Sequence, residues 1–137
     1  MTIMVLTHRA DLRAQIANSL ETRGHQICIP DHRTDVTAKT KESHPDLVVL
    51  DMYLDNPSGA RVLSDLRDNG YEGAVIAMSG PSKLVRDEHS RRLHRIVQLP
   101  VQIGTRFDLS ELETAVMALH GHREANRAVN DMGVLKP

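Results

Sequence analysis

The chain has 137 residues, seventeen basic against eighteen acidic, a formal net charge of −1 and a single cysteine, Cys28. That length suits one domain with a core large enough to fold without disulfides or metal. The near-neutral balance supplies no field toward nucleic acid or anionic lipid, and one Phe with two Tyr is too few aromatics for a base-stacking platform. A lone cysteine fits a reducing compartment. The opening Met1-Thr2-Ile3-Met4-Val5-Leu6 lacks a basic leader and is too short for a membrane span, so the chain is expected to be cytoplasmic.

In chain order, Ile3 to Leu6 is an apolar run suited to a strand covered on both faces. Asp11 stands where a helix cap is expected, Leu12, Ile16 and Leu20 follow at helical spacing, and Gly24 marks the stop. Gln26 to Ile29 reads as a second strand, and Thr34 to Glu42 as a weak helix ended by Pro45. Leu47-Val48-Val49-Leu50 is the clearest strand, closed by Asp51. The turn-forming stretch from Tyr53 to Gly59 leads to a helix over Ala60–Arg67. Ala74 to Met78 is a fourth strand, Leu84 to His94 a charged helix, and Ile96 to Leu99 a fifth strand before Pro100. Asp108 or Ser110 is expected to cap a last helix carrying Leu112, Val116 and Leu119. Five strands alternating with helices predict a parallel sheet wrapped on both faces, with residues 1–119 as the domain and 120–137 as a tail or helix extension.

Ligands of such a sheet gather at the carboxyl ends of the strands. Those ends carry Thr7-His8-Arg9, Asp51-Met52-Tyr53, Ser79-Gly80 and Leu99-Pro100. The run Asp46 to Leu54, with Gly59 eight residues after Asp51, resembles the receiver domain of two-component response regulators. Ser79 and Pro100 extend the likeness, which covers about residues 1–119. The resemblance implies a flavodoxin-like (βα)5 fold, strand order 2-1-3-4-5. It makes Asp51 the phosphoacceptor position for a histidine kinase, with Ser79 as the switch hydroxyl. It also implies Mg²⁺, held by two acids after the first strand, with the backbone of Tyr53 available as a ligand. Here those two positions are Thr7 and His8, the family's lysine is Leu99, and its switch aromatic is Ile96. The pattern is therefore that of an atypical receiver.

Phosphoryl transfer depends on neutralising the oxygens of the moving group, and groups that do so are worth about 3–4 kcal/mol each. Missing acids and a missing lysine predict poor Mg²⁺ binding and weak or absent phosphorylation of Asp51. Cofactors are thus not firmly implied, and Mg²⁺ belongs only to a pocket that still works. His8 or Arg9 beside Asp51 could serve as a built-in counterion, or His8 could remain a solvated loop residue. His120 and His122 lack the spacing and extra ligands of a zinc site. The cationic stretch Lys83, Arg86, Arg91, Arg92 and Arg95 reads as a solvated face or a partner-docking face. The expected function is a signalling module that docks a kinase, a downstream protein or a second copy of itself, without nucleic acid or membrane. The alternative is a small α/β enzyme with Asp51 as nucleophile, against which Tyr53 stands where a general acid is needed.

Overall fold

The structure is a computed structural model that describes residues 1–30, 36–55, 57–79, 96–100 and 109–132, with backbone alone for 79, 96–100 and 121–132. Strands β1 (Thr2–Leu6), β2 (Gln26–Cys28), β3 (Leu47–Asp51), β4 (Ala74–Ser79) and β5 (Ile96–Pro100) alternate with helices. The helices are α1 (Ala10–Thr22), α2 (Val36–Ser43), α3 (Gly59–Asp68) and α4 (Leu109–Met132). All strand pairs are parallel, and the order is β2-β1-β3-β4-β5. The expected helix over Leu84–His94 lies outside the described residues.

The apolar runs of β1, β3 and β4 are buried on both faces because alternate residues serve two cores. Ile3, Val5, Leu47, Val49, Ile76 and Met78 pack against Leu12, Ile16 and Leu20 of α1 and Leu112 and Val116 of α4. Met4, Leu6, Val48, Leu50, Val75 and Ala77 face Val62, Leu63 and Leu66 of α3, with Val36 of α2 at the margin. The i, i+4, i+8 stripe of α1 thus covers one face, and the i, i+1, i+4 cluster of α3 covers the other.

Asp11 as the cap of α1 and Ser110 as the cap of the last helix are corrected, while the alternative Asp108 lies outside the described residues. α1 begins at Ala10 with Arg9 as its N-cap and no side-chain cap bond, while Asp11 lies in the first turn, where its charge favours the helix's positive end. Thr7 and Arg9 are turned toward Asp51 instead, which fixes where the chain enters the helix. Ser110 is inside α4 rather than before it, since the helix already starts at Leu109. α4 continues to Met132, so residue 119, the expected end of the domain, falls within an unbroken helix. Gly24, at φ 92°, ends α1 in the left-handed region that glycine tolerates.

Candidate functional site

Strand register builds the site before any side chain is considered. β1 and β3 pair as Ile3↔Leu47 through Leu6↔Leu50. Continuing that register one step past the last pair sets Thr7 beside Asp51, on the same face because side chains alternate. The hydroxyl of Thr7 donates to Asp51 Oδ2 at 2.7 Å. β3 and β4 pair Asp51 with Met78, and β4 pairs Met78 with Leu99 and Ser79 with Pro100. Asp51, Ser79, Leu99 and Pro100 therefore lie at the same end of adjacent strands; Ile96 opens β5 at the opposite end.

Asp51 is 2% exposed, so its carboxylate survives only with partners. Both oxygens have them. Oδ1 accepts the backbone N–H of Tyr53 at 2.9 Å, the first hydrogen bond of the turn that leaves β3. Oδ2 accepts Thr7 Oγ1–H and, at 3.0 Å, Nε–H of Arg9. The backbone N–H of Arg9 donates to Thr7 Oγ1 at 3.2 Å, so the threonine hydroxyl relays between Arg9's backbone and the carboxylate. The Arg9 guanidinium lies 5.9 Å from the centroid of the Tyr53 ring. Its Nη2 is buried with no hydrogen-bond partner among the described residues. The arginine side chain is 38% exposed, so the pair is buried at the acid and open at the base.

The turn after Asp51 is held by packing as well as by hydrogen bonds. Met52 N–H donates to Met78 O at 2.9 Å, and Leu54 N–H to Asp51 O at 3.1 Å. Gly59 starts α3 directly against this turn: a Cβ there would stand 2.6 Å from Met52 Cα and 3.0 Å from Asp51 O. Ser58 caps α3 by accepting Arg61 N–H at 3.1 Å. The glycine eight residues after Asp51 is thus the point where helix and turn touch backbone to backbone.

Of the residues singled out by sequence, Thr7, Asp51 and Tyr53 meet, Tyr53 through its N–H. Between the two counterion candidates, Arg9 reaches Asp51 and His8 is exposed. Thr7 points inward, so residue 8 points away and residue 9 returns to the same side. That two-residue spacing is the signal that favours Arg9. Lys83, Arg86, Arg91, Arg92 and Arg95 lie outside the described residues. Among the described residues, no group of three or more His, Cys, Asp or Glu is placed to hold a metal ion. A cavity of about 420 Å³ lies between α2 and α3, lined by Thr40, Lys41, His44, Asp46 and Tyr71 among others. It opens where β3 and β4 begin, the end of a parallel sheet that ligand sites avoid, so the chemistry is sought at Asp51.

Residues 3–92 match the family model for the response regulator receiver domain. The chain belongs to that family. A 44-residue stretch is 39% identical to the probable C4-dicarboxylate response regulator DctR of Priestia megaterium. The stretch is 32% of this chain and 19% of that protein, so this receiver domain matches about a fifth of the relative's length. Solved structures share the fold. The response regulator TrrA of Thermotoga maritima, in complex with Mg²⁺-BeF, is 22% identical with a TM-score of 0.67 over 86% of this chain and 97% of its own. The CheY-like receiver domain of Methanospirillum hungatei gives 16% identity and a TM-score of 0.69, over 90% of this chain and 97% of its own. NtrX of Brucella abortus gives 21% and 0.72 over 96% of this chain, which is matched to 29% of that protein. The parallel sheet expected from the alternating elements, and the flavodoxin-like architecture that the resemblance implied, are therefore those of the receiver fold. Receiver domains are signalling modules, and among this one's described residues no helix is long and apolar enough to cross a membrane.

Proposed function

We propose that this receiver domain is a cytoplasmic docking module of a two-component pathway, with Asp51 at the phosphoacceptor position of a pocket that no longer runs Mg²⁺-dependent phosphorylation. The observation that carries the reading is the engagement of both Asp51 oxygens by the chain's own donors, Thr7, Arg9 and the Tyr53 amide. Those three bonds leave the carboxylate a single unengaged lone pair, on Oδ1, and the in-line approach to phosphorus needs cations on the equatorial oxygens. Here Thr7 and His8 stand where the family places acids, and Leu99 where it places lysine, so neither metal nor ammonium assists. The residues do not suit Mg²⁺, which takes near-octahedral oxygen ligands including one or two carboxylates. Thr7 brings a neutral hydroxyl already spent on Asp51.

The domain's output then rests on protein contact. Candidate partners are a histidine kinase, a downstream signalling protein or a second copy, with the cationic positions Lys83, Arg86, Arg91, Arg92 and Arg95 as the docking face and Ser79 as a former switch hydroxyl. Residues 1–119 form the receiver unit in this reading, and 120–137 are its tail or helix extension, helical as far as Met132.

Intact-mass spectrometry of the protein incubated with acetyl phosphate and Mg²⁺, with Asp51→Asn alongside, tests the reading. The expected result is no phosphoryl adduct on either protein. An adduct on the wild type that Asp51→Asn removes would overturn it.

A further inference from the structure

We infer that Arg9 is the resident cation of the Asp51 pocket: its guanidinium neutralises the buried carboxylate and joins the two loops around it, so that the pocket rejects divalent ions. This rests on the family reading above, which makes Asp51 the acid that a divalent ion would otherwise accompany.

Three features of the site point the same way. The first is occupancy. Oδ2 already accepts two hydrogen bonds, from Thr7 and Arg9 Nε, and Oδ1 accepts Tyr53 N–H. On Oδ2, an ion bound at the roughly 2.0–2.1 Å that Mg²⁺ requires would have to displace one of those two donors. The second is charge. With Nε 3.0 Å from Oδ2, any cation on that oxygen meets the guanidinium at close range, in surroundings less screening than water. The third is how Arg9 is held. Its backbone is the extended N-cap of α1, φ −83° and ψ 104°, which directs the side chain back over the strand ends rather than along the helix. The Tyr53 ring lies against the guanidinium, and Arg9 N–H is fixed to Thr7. A cation placed this way also reinforces the tie that Thr7 makes between the loop after β1 and the turn after β3 through Asp51. His8 has no share in this, being exposed on the same loop.

Arg9 is accordingly a positioning residue, and its test is metal binding rather than turnover. Mn²⁺ is titrated into the full chain and its free ion followed by electron paramagnetic resonance, with Mg²⁺ as competitor. Four proteins are compared: wild type, Arg9→Ala, Arg9→Ala/Thr7→Asp, and that double variant with Asp51→Asn. Circular dichroism verifies that each is folded. The wild type should leave Mn²⁺ free. Arg9→Ala/Thr7→Asp, which removes the guanidinium and sets a second carboxylate at the position beside Asp51, should bind it at least about tenfold more tightly. Asp51→Asn should abolish that gain. Wild-type binding at Asp51 equal to that of the variants overturns the inference, and so does a folded double variant that still ignores Mn²⁺.

Acetyl phosphate labelling separates this inference from the proposed function. Labelling of Asp51 in excess EDTA would defeat the docking-only reading and leave Arg9 as the cation. Labelling that requires Mg²⁺ would defeat both. Wild-type Mn²⁺ binding without labelling would defeat the assignment of Arg9 alone.

Discussion

Replacing Gly59 with alanine tests the contact that seats α3 on the Asp51 turn. The added Cβ would lie 2.6 Å from Met52 Cα, 3.0 Å from Asp51 O and 3.1 Å from Met52 C. All three atoms are backbone, so no rotamer change relieves the overlap. Carbon atoms settle at about 3.5–4.0 Å, and the turn or the first turn of α3 must therefore withdraw by about 1 Å. Overpacking of that kind costs about 1–3 kcal/mol, against a helix-propensity gain of at most about 1 kcal/mol for alanine over glycine. A net loss of about 1–2 kcal/mol should lower Tm by about 4–10 °C in a domain of this size. The displaced turn should also move the Tyr53 amide resonance, because that N–H is bound to Asp51 Oδ1. Gly24→Ala is the control: its Cβ meets nothing within 4 Å, so it costs only left-handed strain, about 1–2 kcal/mol, and leaves Tyr53 alone. If Gly59→Ala melts with the wild type and the Tyr53 amide stays in place, the close approach of α3 does not position the turn.

Other measurements probe separate parts of the molecule. Tyr71 is partly buried at the entry to β4 and donates its hydroxyl to Ala74 O at 2.9 Å; burial, and then the nearby Asp46 carboxylate, raise its pKa. Tyr71→Phe should cost about 1 kcal/mol in urea unfolding at neutral pH, and an unchanged midpoint would show the bond to be without net effect. His25 has its pKa lowered by partial burial, then by the Met1 ammonium, His120 and Arg23. The unfolded chain therefore binds that proton more readily, and stability should fall as the pH drops through and below the ordinary histidine value of about 6.5. The His25→Gln variant should lose part of that slope in Tm measured between neutral and mildly acidic pH; an identical slope would exclude His25 as its source. Arg23 pairs with Glu113 across α1 and α4 at the surface. Glu113→Gln should cost no more than about 1 kcal/mol, a loss that disappears in high salt. A larger or salt-independent loss would mean that the pair anchors α4.

The sheet was legible from sequence because its evidence is local. Four consecutive apolar residues ending on an acid, as in Leu47 to Asp51, have few explanations other than a strand buried on both faces. The stripe of Leu12, Ile16 and Leu20 likewise requires a helix packed on one side. The sequence put Thr7, His8 and Arg9 together at the end of β1, and the observed register then set Thr7 on Asp51's face. Asp11, by contrast, looked like a cap because its chemistry suits one, yet the chain entered the helix at Ala10. What decided that was Arg9, whose backbone and side chain are both committed to the strand end.

Composition and periodicity by themselves determined the layers, the strand ends and the position of the key carboxylate, since each depends on residues a few places apart. Only the tertiary structure decided which cation meets Asp51, that both of its oxygens accept bonds from the chain itself, and that Gly59 touches the turn at Met52. Those facts depend on side chains and backbone brought together across tens of residues. Nothing in the local pattern distinguishes an arginine that folds back over a strand from one that points into water.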